Sequence, residues 1–137
     1  PDTVRDAHRE AAAGYFAHIA ALDRCAGRLL AAIDASGRDD DTIVVYTSDH
    51  GDMLGSHGMW KKQKPWDESV RVPLLVRLPG GKGRTIDAPV ETPDLMPTLL
   101  GLCGLPVPDT VEGRDLSPVL RGERAPDDEH AALILCP

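Results

Sequence analysis

Asp49-His50 sets a carboxylate beside an imidazole, and Lys62 brings an ammonium group twelve residues after His50. An aspartate oxygen and a histidine nitrogen are both donors to a divalent cation. Neighbouring residues inside a strand point to opposite faces, so these two converge only where a strand breaks. Gly51 permits such a break, because glycine tolerates backbone dihedrals that other residues avoid. A cation beyond the metal suits a tetrahedral oxyanion, sulfate or phosphate, whose remaining oxygens the metal does not reach. Lysine is a compact charge on a flexible stem and fits that task. Spacing does not separate Lys62 from Lys61 and Lys64. His57, in the same loop, has the chemistry to hydrogen-bond a substrate or act as an acid, or simply to brace the loop. Ser48-Asp49-His50 spells a hydrolytic triad, but consecutive residues cannot form its relay of hydrogen bonds.

The elements around these residues have to present them. Thr42 to Ser48 is a β-branched apolar run, which reads as a buried strand ending at the acid. In open α/β sheets, ligands bind just beyond the carboxyl ends of strands. Before it, Thr3 to Ser36 reads as one long helix, with Ala11, Tyr15, Ile19, Leu22, Ala26, Leu29 and Ile33 on one stripe and Gly37 as its stop. Helix, turn and buried strand make half of a βαβ unit. Downstream, residues 65–69 predict a turn or one helical turn, and 73–78 a second strand. A short strand is expected around 88–90. Thr92 is expected to cap a helix that Gly104 ends. A short helix over 116–121 and a last strand over 131–135 complete the reading. Trp60 and Trp66 are expected to pack the loop.

A net charge of −7 and a pI near 5.1 argue against a nucleic-acid-binding surface, which needs clustered Lys and Arg. No run approaches the roughly 20 apolar residues of a membrane span. Cys25, Cys103 and Cys136 are odd in number and widely spaced, so neither a zinc knuckle nor a disulfide framework is expected.

The run Thr47-Ser48-Asp49-His50-Gly51-Asp52-Met53-Leu54-Gly55-Ser56-His57-Gly58-Met59-Trp60-Lys61-Lys62 resembles the downstream metal-binding loop of the sulfatases, within the alkaline phosphatase superfamily. The resemblance extends to Tyr15–Asp23, Arg71-Val72-Pro73-Leu74-Leu75, the helix from Thr92 to Leu100, and Gly113-Arg114-Asp115-Leu116-Ser117-Pro118-Val119-Leu120. It implies an α/β chain belonging to a helix-flanked, mainly parallel sheet of alkaline phosphatase-like fold. By that resemblance Asp49 and His50 match the second pair of metal ligands, where many members carry Asp-Asn, and Lys62 matches the lysine on the sulfate. The implied cofactors are one divalent metal ion, calcium first with manganese or zinc also open, and a formylglycine nucleophile. That nucleophile is made from a C-x-P-x-R or S-x-P-x-R motif, which is absent here; Cys25-Ala26-Gly27-Arg28 lacks the proline and sits mid-helix. The family's first acidic metal pair is absent too. The 137 residues are therefore expected to be the C-terminal portion of a catalytic domain whose nucleophile-bearing N-terminal portion lies elsewhere, inactive alone. The expected reaction is cleavage of a small-molecule or glycan sulfate ester, with no nucleic-acid partner and the oligomeric state open. A phosphonate monoester or phosphodiester hydrolase of the same superfamily is the second reading. A non-catalytic metal-binding segment is the third.

Overall fold

A computed structural model describes residues 2–127 and 131–134. They form two compact units, one on residues up to Gly80 and one on residues from Gly81 onward. The first unit begins with α1 (Asp2–Ala35), so the long helix runs as its apolar period predicts. Its end is closed locally. The Ser36 hydroxyl donates to the Ile33 carbonyl at 2.7 Å, and Gly37, at φ 66°, turns the chain out of the helix. Much of the stripe remains exposed, with Leu22 at 60% and Leu29 at 68%.

Strands β1 (Val44–Thr47) and β2 (Leu74–Arg77) follow, separated by α2 (Asp67–Val70). The mainly parallel sheet expected from the sequence is not what the described residues form. β1 and β2 pair antiparallel, in the register Val44↔Arg77 to Thr47↔Leu74. A parallel pair needs a crossover of a dozen or more residues, usually a helix spanning the sheet. Here the intervening segment is spent on the loop and one helical turn, and it returns the chain alongside the strand it left. Arg77 Nη1 meets Asp34 Oδ1 at 3.5 Å, joining β2 to the end of α1. No described helix is long and apolar enough to cross a membrane.

The second unit is built on α3 (Thr92–Leu102) and α4 (Ser117–Arg121). The N-cap of α3 is Glu91 rather than the expected Thr92. The Glu91 side chain accepts from the third amide of the helix while Asp94 accepts from the Glu91 amide, a reciprocal capping box. A cap needs a side-chain oxygen at the extended residue just outside the helix, and Glu91 occupies that place with φ −105° and ψ 157°. Pro93 sits in the first turn, where its missing N–H costs nothing. The segment from Gly113 to Leu116 latches onto this end. Asp94, only 2% exposed, accepts from the Arg114 amide at 2.8 Å and from Arg114 Nη2 at 2.7 Å. The Thr98 hydroxyl donates to the Arg114 carbonyl and accepts from the Leu116 amide. A Cβ at Gly113 would overlap the Pro93 carbonyl, so only glycine fits. Pro97, buried inside α3, cannot donate to that carbonyl, which leaves it open to this close approach. At the other end Arg121 donates to the Gly101 and Leu102 carbonyls. The strand expected around 88–90 does not form, nor is there strand over 131–134; residue 135 lies outside the described residues.

Burial raises the Asp94 pKa, but the Arg114 guanidinium and the Arg114 and Glu91 amides outweigh it and hold the carboxyl below the ordinary aspartate value of 3.8. The unfolded chain thus takes up this proton before the folded one does. The stability Asp94 supplies is complete above about 3.8 and is lost as pH falls through its lowered folded value. Asp94→Ala leaves the half-buried Arg114 guanidinium and the Arg114 and Glu91 amides without their acceptor and should cost about 1–3 kcal/mol. Thermal unfolding of the complete protein as a function of pH checks both points: the variant should melt lower at neutral pH and lose this part of the acid slope.

Candidate active site

Strand β1 ends at Thr47, and the Ser48 hydroxyl donates to the His50 carbonyl at 2.8 Å, bending the chain as it leaves the sheet. The bend brings the two adjacent side chains together: His50 Nε2 lies 3.4 Å from Asp49 Oδ2. The other ring nitrogen, Nδ1, lies 2.7 Å from the Gly51 carbonyl oxygen. A carbonyl only accepts, so Nδ1 carries the proton in this contact. Nε2 is then left to meet the carboxylate across a gap that a shared cation would fill. Metal-bound histidines are oriented in this way, by a backbone acceptor on the far nitrogen. The donors fit a divalent cation. They supply two ligands, and among the described residues no group of three or more His, Cys, Asp or Glu side chains is placed to hold a metal ion.

The loop that follows is braced against itself. The Gly51 amide donates to the Ser69 carbonyl at 2.9 Å, and a Cβ at Gly51 would overlap the Glu68 carbonyl oxygen. Met53 is 1% exposed, and its amide donates to the Lys61 carbonyl at 2.8 Å. The Gly55 amide donates to the Met59 carbonyl, and the Asp52 carboxylate accepts from the Leu54 amide. Four non-glycine residues here hold left-handed backbone: Leu54 at φ 45°, His57 at 53°, Lys61 at 66° and Gln63 at 67°. Such residues are uncommon, and they persist where their surroundings over-determine them. Lys62 lies between the last two, so the backbone turns on both sides of it. Lys64 differs: it is half-buried and its amide donates to the buried Ser69 hydroxyl.

His57 stacks on Trp66, with ring centroids 4.4 Å apart and planes inclined by 19°. Its Nε2 lies 4.0 Å from Glu68 Oε1, which also accepts from the Ser56 hydroxyl at 2.5 Å. Trp60 meets the His8 ring edge-on at 5.0 Å. Trp66 thus packs on the loop as expected from sequence, while Trp60 meets α1, and both rings stay partly exposed. The structure thus brings Asp49 and His50 together, sets His57 at the loop tip over α2, and places Lys62 on the returning limb. Sequence reading missed Glu68 and Ser69. Both fall in a short turn whose only visible cue was a charged residue beside a serine, too common a pairing to mark a brace.

Gly51→Ala would drive a methyl group into the Glu68 carbonyl. Overpacking of this kind costs about 1–3 kcal/mol. The expected result is a lowered melting temperature together with weakened metal binding, measured by thermal unfolding and by metal titration of the complete protein.

The family model described as Sulfatase matches residues 2–105. The ulvan-active sulfatase of Formosa agariphila is 45% identical over 132 residues, covering 93% of this chain and 26% of that protein. The arylsulfatase of Clostridium perfringens is 37% identical over 121 residues, covering 85% of this chain and 25% of its own length. Among solved structures, the phosphonate monoester hydrolase of Silicibacter pomeroyi superposes with a TM-score of 0.71 at 44% identity, over 79% of this chain and 21% of that one. This chain spans about a quarter of the length of the curated relatives it matches. The matched residues include α1, both strands, the braced loop and α3, and on that match the chain belongs to the sulfatase family.

Proposed function

We propose that the complete protein is a sulfuric ester hydrolase and that this chain is the C-terminal portion of its catalytic domain. The observation that carries the reading is the convergence of Asp49 Oδ2 and His50 Nε2 at 3.4 Å, with His50 oriented by the Gly51 carbonyl. Asp49 and His50 would hold a divalent metal ion, calcium in the first instance, with manganese or zinc also compatible with an imidazole ligand. When bound, that ion supplies positive charge to the ester oxygens. Lys62 contacts the sulfate and offsets charge on the leaving oxygen as the bond breaks. His57 binds the substrate from the loop tip. The nucleophile, formylglycine by the family resemblance, comes from outside these 137 residues. β1 and β2 are then members of a larger, mainly parallel sheet whose other strands the rest of the enzyme provides.

The likeness to a phosphonate monoester hydrolase supports a second reading, since metal and lysine hold a phosphonate as readily as a sulfate. A panel of para-nitrophenyl sulfate and para-nitrophenyl phenylphosphonate, run on the metal-loaded complete enzyme, separates the two. Higher kcat/KM on the sulfate is the expected result. A clear preference for the phosphonate would install the second reading, and no hydrolysis of either would remove both.

A further inference from the structure

Residues 67–70 touch the loop at two places. The backbone of Glu68 and Ser69 packs on Gly51, next to the proposed metal ligand His50, while the Glu68 side chain reaches Ser56 and His57 at the loop tip. His57 is held from three directions there. Its backbone is in the left-handed region at φ 53°, its ring lies flat on Trp66, and its Nε2 faces Glu68 Oε1. A strained backbone at a residue whose ring is also stacked and faces a carboxylate points to a side chain whose direction matters. With Nε2 turned to Glu68, Nδ1 is the nitrogen left to meet a ligand. We infer that Glu68 is a positioning residue, fixing the His57 imidazole so that Nδ1 faces the anionic ester. The inference rests on the sulfuric ester hydrolase reading and adds a residue to it. The Ser56 hydroxyl first, then the Glu68 backbone amide, hold the Glu68 carboxyl below the ordinary glutamate range against the opposing effect of burial, with His57 adding to the lowering. The carboxyl therefore keeps its charge under assay conditions. The ion pair of Arg71 with Asp67 lies on the same turn, but Arg71 is engaged by Asp67 at 3.2 Å.

Glu68→Gln separates the two jobs of this carboxylate. The amide oxygen still accepts from Ser56, so the loop brace is kept, while the charge facing His57 is gone. In the complete, metal-loaded enzyme, Glu68→Gln should lower kcat/KM on para-nitrophenyl sulfate about tenfold, as loss of an orienting partner does. Its melting temperature and metal affinity should stay at wild-type values. In a His57→Ala background the same substitution should cost nothing further, because partners acting through one contact are not additive. Wild-type kcat/KM for Glu68→Gln, or an equal loss with and without His57, overturns the inference while leaving the hydrolase reading intact. A wild-type enzyme inactive on both the sulfate and the phosphonate overturns the parent reading and this one with it.

Discussion

An Asp49→Ala form of the complete enzyme is expected to show no turnover at metal concentrations that saturate the wild type. The carboxylate is one of the two donors that meet at the end of β1, and its removal leaves His50 Nε2 facing open space where Asp49 Oδ2 lay 3.4 Å away. A neutral imidazole alone holds a hard divalent cation poorly, because such ions favour charged oxygen ligands. The loss is therefore one of occupancy, and it should appear in two independent ways. Metal content after dialysis should fall well below one equivalent, and activity should return only in part at high added metal. Because the Asp49 side chain is 80% exposed, the variant should keep the wild-type melting temperature in the metal-free state. An enzyme that retains both metal and turnover without Asp49 would remove this residue from the coordination sphere.

Lys62→Ala is expected to lower kcat/KM by about 10²–10³-fold, the usual consequence of deleting one group that stabilises developing oxyanion charge. Metal affinity should be unchanged, since the role proposed for the lysine is on the anion and not on the cation. Lys61→Ala and Lys64→Ala are the controls. Lys61 contributes its carbonyl to Met53 and Lys64 its amide to Ser69, both backbone roles that survive truncation of the side chain. Those two variants should stay within a few-fold of wild type. A full loss in either one, with Lys62→Ala near normal, would move the anion-binding role along the chain.

The long helix was legible from its periodic stripe, and the position of the strands from their apolar runs. The α1 stripe and the β-branched run before Asp49 place those elements within a residue or two of their observed bounds. Sheet direction was not legible. Nothing in the residues of 42–48 and 73–78 distinguishes a strand that pairs antiparallel from one that pairs parallel, since both are apolar and short. The cap of α3 was misplaced by one residue because Thr92 and Glu91 can both supply an oxygen, and only the extended backbone at Glu91 decides between them. At the site, type and adjacency single out Asp49 and His50 as a pair, and their side chains do lie 3.4 Å apart. The bracing by α2 was not legible, because Gly51 and Glu68 meet only through space and neither residue type announces the contact.

The segment from Asp49 to Val70 closes on itself: its opening glycine leans on its closing helical turn, and its two limbs are stitched at Met53–Lys61 and Gly55–Met59. Such a stretch behaves as a cassette. Transplanted whole into a homologous scaffold it would bring its own geometry along, whereas a crossover inside it, between Gly51 and Glu68, would pair halves shaped for different partners. Recombination libraries among related hydrolases should accordingly yield active chimeras with junctions on either side of these twenty-two residues and few with junctions within them.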